Sequence, residues 1–360
     1  SEDDQYDLLV QLTCASEGSL IVFSSDDADD WCGAGETELE NLYINATGSD
    51  PVDLSCIETV TGYLEIENSN APSIDLSGVI TIDDELYIHE NDDLESIDLS
   101  ALETVDSYIY IYNNSDLENL SLDSLEEVGS YFVIQYHDYL EAVGLDNLLT
   151  IGDYMELSEN DSWTDISLPV LEEVGGAFRI RENYSTGIET VYAPSLETIG
   201  GDLYIYYNYK LEELDLSSLK EIGSQLYIYY NESLEVLELG SLEEVNSSFQ
   251  IYYAKQIETL ELDSLVEING TLTLNYNTGL ETFSAPLLDT LNGNLYIQDN
   301  SSLNSVDLSS LECVDDYTIE GNDLDEDVQY DLLVQLTCAS EDSLIVFRGD
   351  DADDFCGTGE

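Results

Sequence analysis

The sequence predicts an all-β protein, a right-handed, three-sided, parallel β-solenoid of leucine-rich coils about 23 residues long. Apolar residues recur at nearly constant spacing, and an asparagine recurs five residues after them. A period of this length is typical of solenoids, in which each repeat buries its apolar residues by stacking on its neighbours. A near-identical segment at each end of the printed sequence predicts a small disulfide-containing cap or junction module at both ends.

The repeat is clearest at residues 203–224, where apolar residues alternate and then follow in short steps that no amphipathic helix would show. The pattern predicts three short strands joined by corners. We call the first apolar residue of each copy the leader, and successive leaders are 22, 23 or 25 residues apart. The leaders are Leu42, Leu64, Leu86, Ile109, Phe132, Met155, Phe178, Leu203, Leu226, Phe249, Leu272, Leu295 and Tyr317.

An asparagine five residues after the leader is expected to turn inward and hydrogen-bond the corner backbone of the adjacent coil. The nine ladder asparagines are Asn91, Asn114, Asn160, Asn183, Asn208, Asn231, Asn277, Asn300 and Asn322. In one coil His137 takes this position.

The repeating order L-x-I-x-x-N-x-x-L-x-x-L-x-L-x-x-L-x-x-I-x-G resembles the leucine-rich repeat, and more closely the receptor L-domain family, over residues 39–322. The resemblance implies strands on several sides of each coil and an extracellular recognition or structural module. This array is longer than one typical receptor domain and far more acidic, so the resemblance carries over no ligand.

Eighty acidic residues against six lysines and arginines give a net charge of −74. Repulsion excludes nucleic acid and anionic membranes as partners, and no apolar run is long enough for direct membrane insertion. The 43% apolar content is periodic, which predicts a folded chain. Either high salt or bound calcium must screen the charge, and a chelator distinguishes the two.

Residues 1–36 and 325–360 are identical at 29 of 36 positions. We therefore predict three regions, 1–36, 37–324 with about thirteen coils, and 325–360. Two interpretations remain open: a tandem array of 324-residue repeat units, or paired caps that evolved together.

Each end module is expected to contain an acidic loop, which either binds calcium or forms a solvated corner, since its spacing is not that of an EF-hand. The candidate calcium ligands are Asp26, Asp27, Asp29, Asp30, Asp350, Asp351, Asp353 and Asp354.

Six cysteines lie near the chain ends without zinc-site spacing, which predicts disulfides outside the cytosol. Because coils rise by about 4.8 Å, a disulfide can join neighbouring coils. The spacing favours Cys32–Cys56 and Cys313–Cys338, which leaves Cys14 and Cys356 for neighbouring repeat units. The alternative pairs Cys14 with Cys32 and Cys338 with Cys356.

Positions one, three and four after the leader should face solvent. In the middle coils they are rich in tyrosine, beside two arginines. These residues are Arg179, Arg181, Tyr204, Tyr206, Tyr207, Tyr227, Tyr229, Tyr230, Tyr252, Tyr253 and Tyr276. Such columns either form a contact surface for another protomer, a glycan or a surface protein, or reflect β-propensity and packing alone.

Nine N-x-S/T sequons occur, and four of them coincide with ladder positions. Of the others, Asn45, Asn246 and Asn269 are the best candidates for glycosylation. Chance sequons in a chain rich in asparagine and serine are an adequate alternative.

No pair of carboxylates stands out for acid–base catalysis, and His89 is expected to face outward beside Glu90. We expect no enzyme activity and no cofactor other than calcium. The favoured function is an extracellular structural or adhesive surface protein whose partner is itself, in a continuous array. The alternative is a secreted receptor module that binds a glycan or protein on its tyrosine face.

Overall fold

The computed structural model describes residues 19–22, 24–35, 37–184, 187–312, 314 and 316–336. Over these residues the fold is a parallel β-solenoid with about 23 residues per turn and two short helices. The chain divides into two compact halves, an N-terminal half that ends at Val191 and a C-terminal half that begins at Tyr192. Among the described residues, no helix is both long and apolar enough to cross a membrane.

Face A consists of the first strand of each coil, and these strands pair in parallel through equivalent residues, such as Leu20 with Leu42 and Ile109 with Phe132. In the N-terminal half its strands are Leu20–Val22, Leu42–Ile44, Leu64–Glu67, Leu86–His89, Ile109–Tyr112, Phe132–His137, Met155–Asn160 and Phe178–Arg181. In the C-terminal half they are Leu203–Tyr206, Leu226–Tyr229, Phe249–Tyr252, Leu272–Asn275, Leu295–Gln298 and Tyr317–Glu320. All thirteen predicted leaders begin a strand of this face, so the predicted register is confirmed.

The other two sides of the coil, faces B and C, carry shorter strands. In the N-terminal half, face B contains Glu38–Leu39, Thr59–Val60, Thr81–Ile82, Thr104–Val105, Glu127–Val128, Thr150–Ile151 and Glu173–Val174. Face C of that half contains Val52–Asp53, Ser73–Asp75, Ser96–Asp98, Asn119–Ser121, Ala142–Val143 and Asp165–Ser167.

The C-terminal half repeats this arrangement. Its face B contains Thr198–Ile199, Glu221–Ile222, Glu244–Val245, Glu267–Ile268 and Thr290–Leu291. Its face C contains Glu213–Asp215, Val236–Glu238, Thr259–Glu261, Thr282–Ser284 and Ser305–Asp307. The division between the halves falls within the strand Thr190–Tyr192.

The interior is a single column of apolar side chains in each half. The twelve leaders from Leu42 to Leu295 are all fully buried. Their burial depends on the neighbouring coils, because one coil alone would leave these side chains in water. At one corner the backbones approach so closely that a Cβ on Gly152 would lie 2.1 Å from the carbonyl oxygen of Gly129, and glycine is therefore required.

The ladder asparagines point inward as predicted, and all except the half-buried Asn322 are buried. Asn277 shows the pattern. Its Oδ1 accepts a hydrogen bond from the backbone N–H of Ala254 at 3.0 Å, and its Nδ2 donates to the carbonyl of Ile251 at 3.0 Å. One side chain thus satisfies a donor and an acceptor of the preceding coil, which would otherwise be buried without partners.

From the coil led by Leu64 to the coil led by Tyr317, the residue just before the ladder position has a left-handed backbone, with φ between 47° and 63° for the non-glycine residues. They are Asn68, Glu90, Asn113, Tyr136, Glu159, Glu182, Tyr207, Tyr230, Tyr253, Tyr276 and Asp299, and Gly321 takes the same position in the last coil. This turn explains why positions three and four both face outward while the next residue points inward.

Helix α1 spans Ser25–Ala34, so the prediction of an acidic loop at Asp26–Asp30 was wrong. Ser24 and Asp27 form a capping box at its start, in which Asp27 accepts the Ser24 N–H at 2.8 Å. Carboxylates in the first turn also interact favourably with the helix dipole. Local capping therefore converts an acidic run into a helix. Helix α2 spans Glu326–Leu336.

The disulfide Cys32–Cys56 joins α1 to a solenoid coil, with Cα atoms 5.6 Å apart. It confirms one predicted pair and is incompatible with a bond between Cys14 and Cys32 in the same molecule. Four further cysteines lie outside the described residues. They are Cys14, Cys313, Cys338 and Cys356.

His137 is fully buried at its ladder position. Its Nδ1–H donates to Asn160 Oδ1 at 3.0 Å, and its Nε2 accepts from Asn114 Nδ2 at 3.3 Å. Burial lowers the pKa of His137 to about 4, and the bond to Asn160 opposes this shift only in part. The ring is therefore neutral in the folded protein at pH 7.

Replacing His137 by Asn should make the protein less sensitive to acid. The unfolded chain binds a proton at this histidine below about pH 6.5, whereas the folded chain does so only near pH 4. As the pH falls from about 6.5 to about 4, the free energy of unfolding therefore decreases, by about 3 kcal/mol in total. We expect the unfolding midpoint of the parent chain to decrease more between pH 7 and pH 4 than that of H137N. Equal decreases in the two proteins would show that His137 does not cause this part of the acid sensitivity.

Candidate functional site

Nine tyrosines of the C-terminal half form one continuous aromatic surface on face A and its corner, which we call the C-terminal tyrosine patch. They are Tyr204, Tyr206, Tyr207, Tyr227, Tyr229, Tyr230, Tyr252, Tyr253 and Tyr276. All were predicted to face outward, and all are half-buried or exposed. These rings therefore lie on the outer surface, as the sequence predicts, while their role in binding stays a prediction.

Four rings of the patch stack along the corner. Ring centroids are 5.4 Å apart for Tyr207 and Tyr230, 4.4 Å for Tyr230 and Tyr253, and 5.0 Å for Tyr253 and Tyr276. All four residues have the left-handed backbone, which costs a bulky residue roughly 1–2 kcal/mol. A stacked aromatic pair contributes about 0.5–1.5 kcal/mol. Stacking is thus large enough to offset much of the backbone cost.

The strand rows join this corner stack. Tyr229 lies edge-on to Tyr230 at 4.3 Å and to Tyr252 at 5.8 Å, and it stacks on Tyr227 at 5.4 Å. Burial and the neighbouring phenols raise the pKa of Tyr227. The hydroxyl therefore stays protonated at physiological pH and can donate a hydrogen bond.

The packing determines what the patch can present to a partner. Ring faces along the stack are covered by neighbouring rings, so the patch exposes mainly ring edges and hydroxyls. Tyr276, the last ring of the stack, is 41% exposed. Exposed edges and hydroxyls suit hydrogen bonding and packing against another protein surface.

Arg179 and Arg181 belong to the N-terminal half, and their charges are paired there. Arg181 binds Glu156 Oε1 through Nη2 at 2.6 Å, and Arg179 lies 3.6 Å from Glu156 Oε2. The Arg179 guanidinium also lies 5.1 Å above the ring of Tyr154. Both arginines thus neutralise a carboxylate of face A, and they do not form an uncompensated positive patch.

A second group of tyrosines, in the N-terminal half, was missed by the sequence analysis. We call it the N-terminal tyrosine patch, and its members are Tyr87, Tyr108, Tyr110, Tyr112, Tyr131 and Tyr154. Tyr131 stacks on Tyr108 at 4.4 Å and on Tyr154 at 5.0 Å. The sequence pattern could have predicted it, because Tyr87, Tyr110 and Tyr112 occupy the same positions after their leaders, one and three, as the tyrosines of the C-terminal patch.

His89 does not face solvent as expected, because its ring packs against two tyrosines of this patch. The centroids of Tyr87 and Tyr112 lie 4.1 Å and 5.3 Å from that of His89. His89 is only 7% exposed, and its Nε2 lies 3.3 Å from Glu65 Oε1. Aromatic neighbours on its own and the adjacent strand therefore cover a side chain whose position alone suggested exposure.

The predicted calcium ligands do not converge in the described part of the chain. Asp26, Asp27, Asp29 and Asp30 lie on α1, and Asp27 caps its start. Within the described residues, one group of three His, Cys or carboxylate side chains has its ligand atoms within 4.8 Å of one another, and it consists of Glu65, Glu67 and His89. The four C-terminal candidates lie outside the described residues. They are Asp350, Asp351, Asp353 and Asp354.

The candidate glycosylation sites differ in accessibility. Asn269 is exposed, whereas Asn45 and Asn246 are half-buried. Asn269 Nδ2 donates to Asn246 Oδ1 at 3.3 Å, and Asn292 Nδ2 donates to Asn269 Oδ1 at 2.8 Å. A glycan on Asn269 would therefore disrupt part of a surface asparagine column. The sequons at ladder positions Asn160, Asn183, Asn231 and Asn300 are buried, as predicted.

An open groove of about 600 Å³ lies in the C-terminal half. Glu235, Lys255, Glu258 and Glu281 are among its lining residues, which include no histidine or cysteine. The absence of enzyme activity stays a prediction.

Comparison of the chain with protein-family profiles, curated proteins and solved structures gives no significant match.

Proposed function

We propose that this chain is an extracellular structural or adhesive surface protein in which the solenoid continues from one 324-residue repeat unit to the next. The proposal is carried by the contacts of the repeated segment, 1–36 and 325–360. The structure describes residues 19–22 and 24–35 of the first copy and residues 325–336 of the second copy. These two parts of the segment contact different coils.

The C-terminal portion of the segment is described in the first copy, where it attaches to the coils that follow it. Strand Leu20–Val22 pairs with Leu42–Ile44. The disulfide Cys32–Cys56 then ties α1 to the same part of the solenoid.

The N-terminal portion is described in the second copy, where it attaches to the coil that precedes it. Gln335 Nε2 donates to the carbonyls of Leu308 and Leu311, the latter at 2.7 Å. The carbonyl of Leu336 accepts the N–H of Val314 at 3.3 Å, and Leu336 is buried.

Because the copies share 29 of 36 residues, a segment that makes both sets of contacts would connect a preceding coil to a following one. The 324-residue offset keeps the strand period, because Leu344, the counterpart of Leu20, would precede the next repeat unit's Leu42 by 22 residues. The segment is then a junction within a continuous array.

Two further features support an extracellular role. A disulfide such as Cys32–Cys56 persists in oxidising compartments. The three-sided leucine-rich coil resembles receptor L-domains, which serve as extracellular modules. The tyrosine patches would then supply lateral contacts between arrays.

The second candidate function is a secreted receptor module that binds a glycan or a protein on the tyrosine face. Covered ring faces along Tyr207, Tyr230 and Tyr253 favour a protein over a glycan, because sugars bind by stacking on free aromatic faces. Electron micrographs of the natural material distinguish the two functions: an array gives long fibres, whereas a receptor gives discrete particles.

The array can be tested with a chain that carries residues 1–324 followed directly by a second copy of 1–360. We expect non-reducing peptide mapping to link Cys313 of the first copy with Cys14 of the second copy, and Cys32 with Cys56 within the second copy. A Cys32→Ser substitution in the second copy should lose the second link and keep the first. A link between Cys14 and Cys32 of the second copy would contradict the junction and favour independent caps.

Lateral association can be tested by replacing Tyr206, Tyr229 and Tyr252 with Ser. We expect the triple variant to lose self-association in sedimentation velocity while its far-ultraviolet circular dichroism stays that of the parent, because the three rings are outside the apolar interior. Tyr139→Ser with Tyr192→Ser, two exposed tyrosines outside the patch, is the matched control. Unchanged association in the triple variant would show that the rings serve packing alone.

A further inference from the structure

Two carboxylates and one imidazole meet on face A of the N-terminal half. Glu65 and Glu67 lie on strand Leu64–Glu67, and His89 lies directly opposite Glu67 on the next strand. His89 Nε2 is 3.3 Å from Glu65 Oε1 and 3.6 Å from Glu67 Oε2. Both carboxylates thus approach the same nitrogen.

The protein balances at most one of the two carboxylate charges in this group, because His89 can carry at most one positive charge. A neutral imidazole has one N–H and can serve one of the two carboxylates. None of the described lysines and arginines forms a salt bridge with Glu65 or Glu67. In a chain of net charge −74, a divalent cation would satisfy both carboxylates and the ring nitrogen together.

The surroundings hold Glu67 and His89 in place. Tyr43 donates a hydrogen bond to Glu67 Oε1, and Oε2, which accepts from Asn68 Nδ2 at 3.3 Å, lies on the side of the histidine. Tyr87 and Tyr112 stack against the His89 ring. The His89 side chain is 9% exposed, and its Nδ1 is buried without a hydrogen-bond partner in the described part of the chain. The ring is thus held by packing against Tyr87 and Tyr112 and by the approach of Glu65 and Glu67 to its Nε2.

The spacing matches one class of cation. Zinc binds histidine nitrogen and carboxylate oxygen at about 2.0–2.2 Å in tetrahedral sites, which places neighbouring ligand atoms about 3.3–3.6 Å apart. The observed separations of 3.3 Å and 3.6 Å fall in this range. Calcium prefers six to eight oxygen ligands, more than Glu65 and Glu67 supply.

We propose that Glu65, Glu67 and His89 form a binding site for a divalent transition-metal ion of the zinc class. Water would complete the coordination, since both glutamates keep a side-chain exposure of 27%. A ring bound through Nε2 carries its proton on Nδ1, where no acceptor lies, so we expect weaker binding than at a site with a complete outer shell. The site does not depend on the array, and of the tyrosine patches it involves only Tyr87 and Tyr112, which pack against the His89 ring.

Cobalt(II) titration of the full chain tests the proposal, because tetrahedral cobalt absorbs visible light much more strongly than cobalt held by scattered carboxylates. Millimolar magnesium suppresses binding to the remaining acidic surface. We expect one equivalent of cobalt to give the tetrahedral spectrum and zinc to displace it. His89→Gln, and Glu65→Gln with Glu67→Gln, should each weaken binding by about tenfold or more.

Glu90→Gln is the matched control, because it removes an exposed carboxylate next to His89 and keeps the site. This variant should show the parent spectrum and affinity. Circular dichroism checks that each variant is folded, and the double glutamine variant decides the outcome if His89→Gln does not fold. The absence of a tetrahedral spectrum in the parent chain, or an unchanged spectrum in the folded double variant, would overturn the proposal.

Discussion

The hydrogen bond between an inward asparagine and the backbone of the preceding coil is the interaction on which the solenoid depends. A column of apolar side chains drives the coils together, but it cannot satisfy the polar backbone at the corner, where each unpaired buried group costs about 1–3 kcal/mol. The side chains of Asn231, Asn277 and Asn300 supply the missing partners. The left-handed residue before each of them turns the amide inward.

A stacked architecture also determines how the surface behaves. Any outward position is repeated about every 4.8 Å, so that its side chain meets the equivalent residues of adjacent coils. Tyrosines at such positions attract one another, as Tyr230 and Tyr253 show. Carboxylates repel, unless they meet an arginine, as Glu156 does, or a cation. The high acidic content is therefore tolerable only where salt, ions or basic residues screen these columns.

Sequence alone predicted the features that follow from the period. The leaders, the buried ladder asparagines and the bond between Cys32 and Cys56 each depend on counting residues between coils. Helix α1 was missed because a local cap, formed by Ser24 and Asp27, outweighs the composition of an acidic run. The burial of His89 was missed because it depends on which side chains lie on its own and the adjacent strands.

The group formed by Glu65, Glu67 and His89 was unpredictable for a related reason. It requires the register of two strands together with the side-chain orientations that Tyr43 and the stacked rings impose. The N-terminal tyrosine patch, by contrast, follows from the same outward positions that identified the C-terminal patch. The period therefore predicts rows of residues, whereas a site within a row depends on side-chain packing.

Amide hydrogen exchange at the ladder positions tests the role of the inward side chains most directly. The backbone N–H groups of Asn208, Ala254 and Asn277 each donate to an asparagine Oδ1 of the next coil. Asn231 faces Ala254, whose side chain has no acceptor. We expect the Asn231 amide to exchange at least about tenfold faster than the other three, which corresponds to a loss of about 1.4 kcal/mol of local protection. Equal exchange rates at the four positions would show that the asparagine side chains do not hold the coils in register.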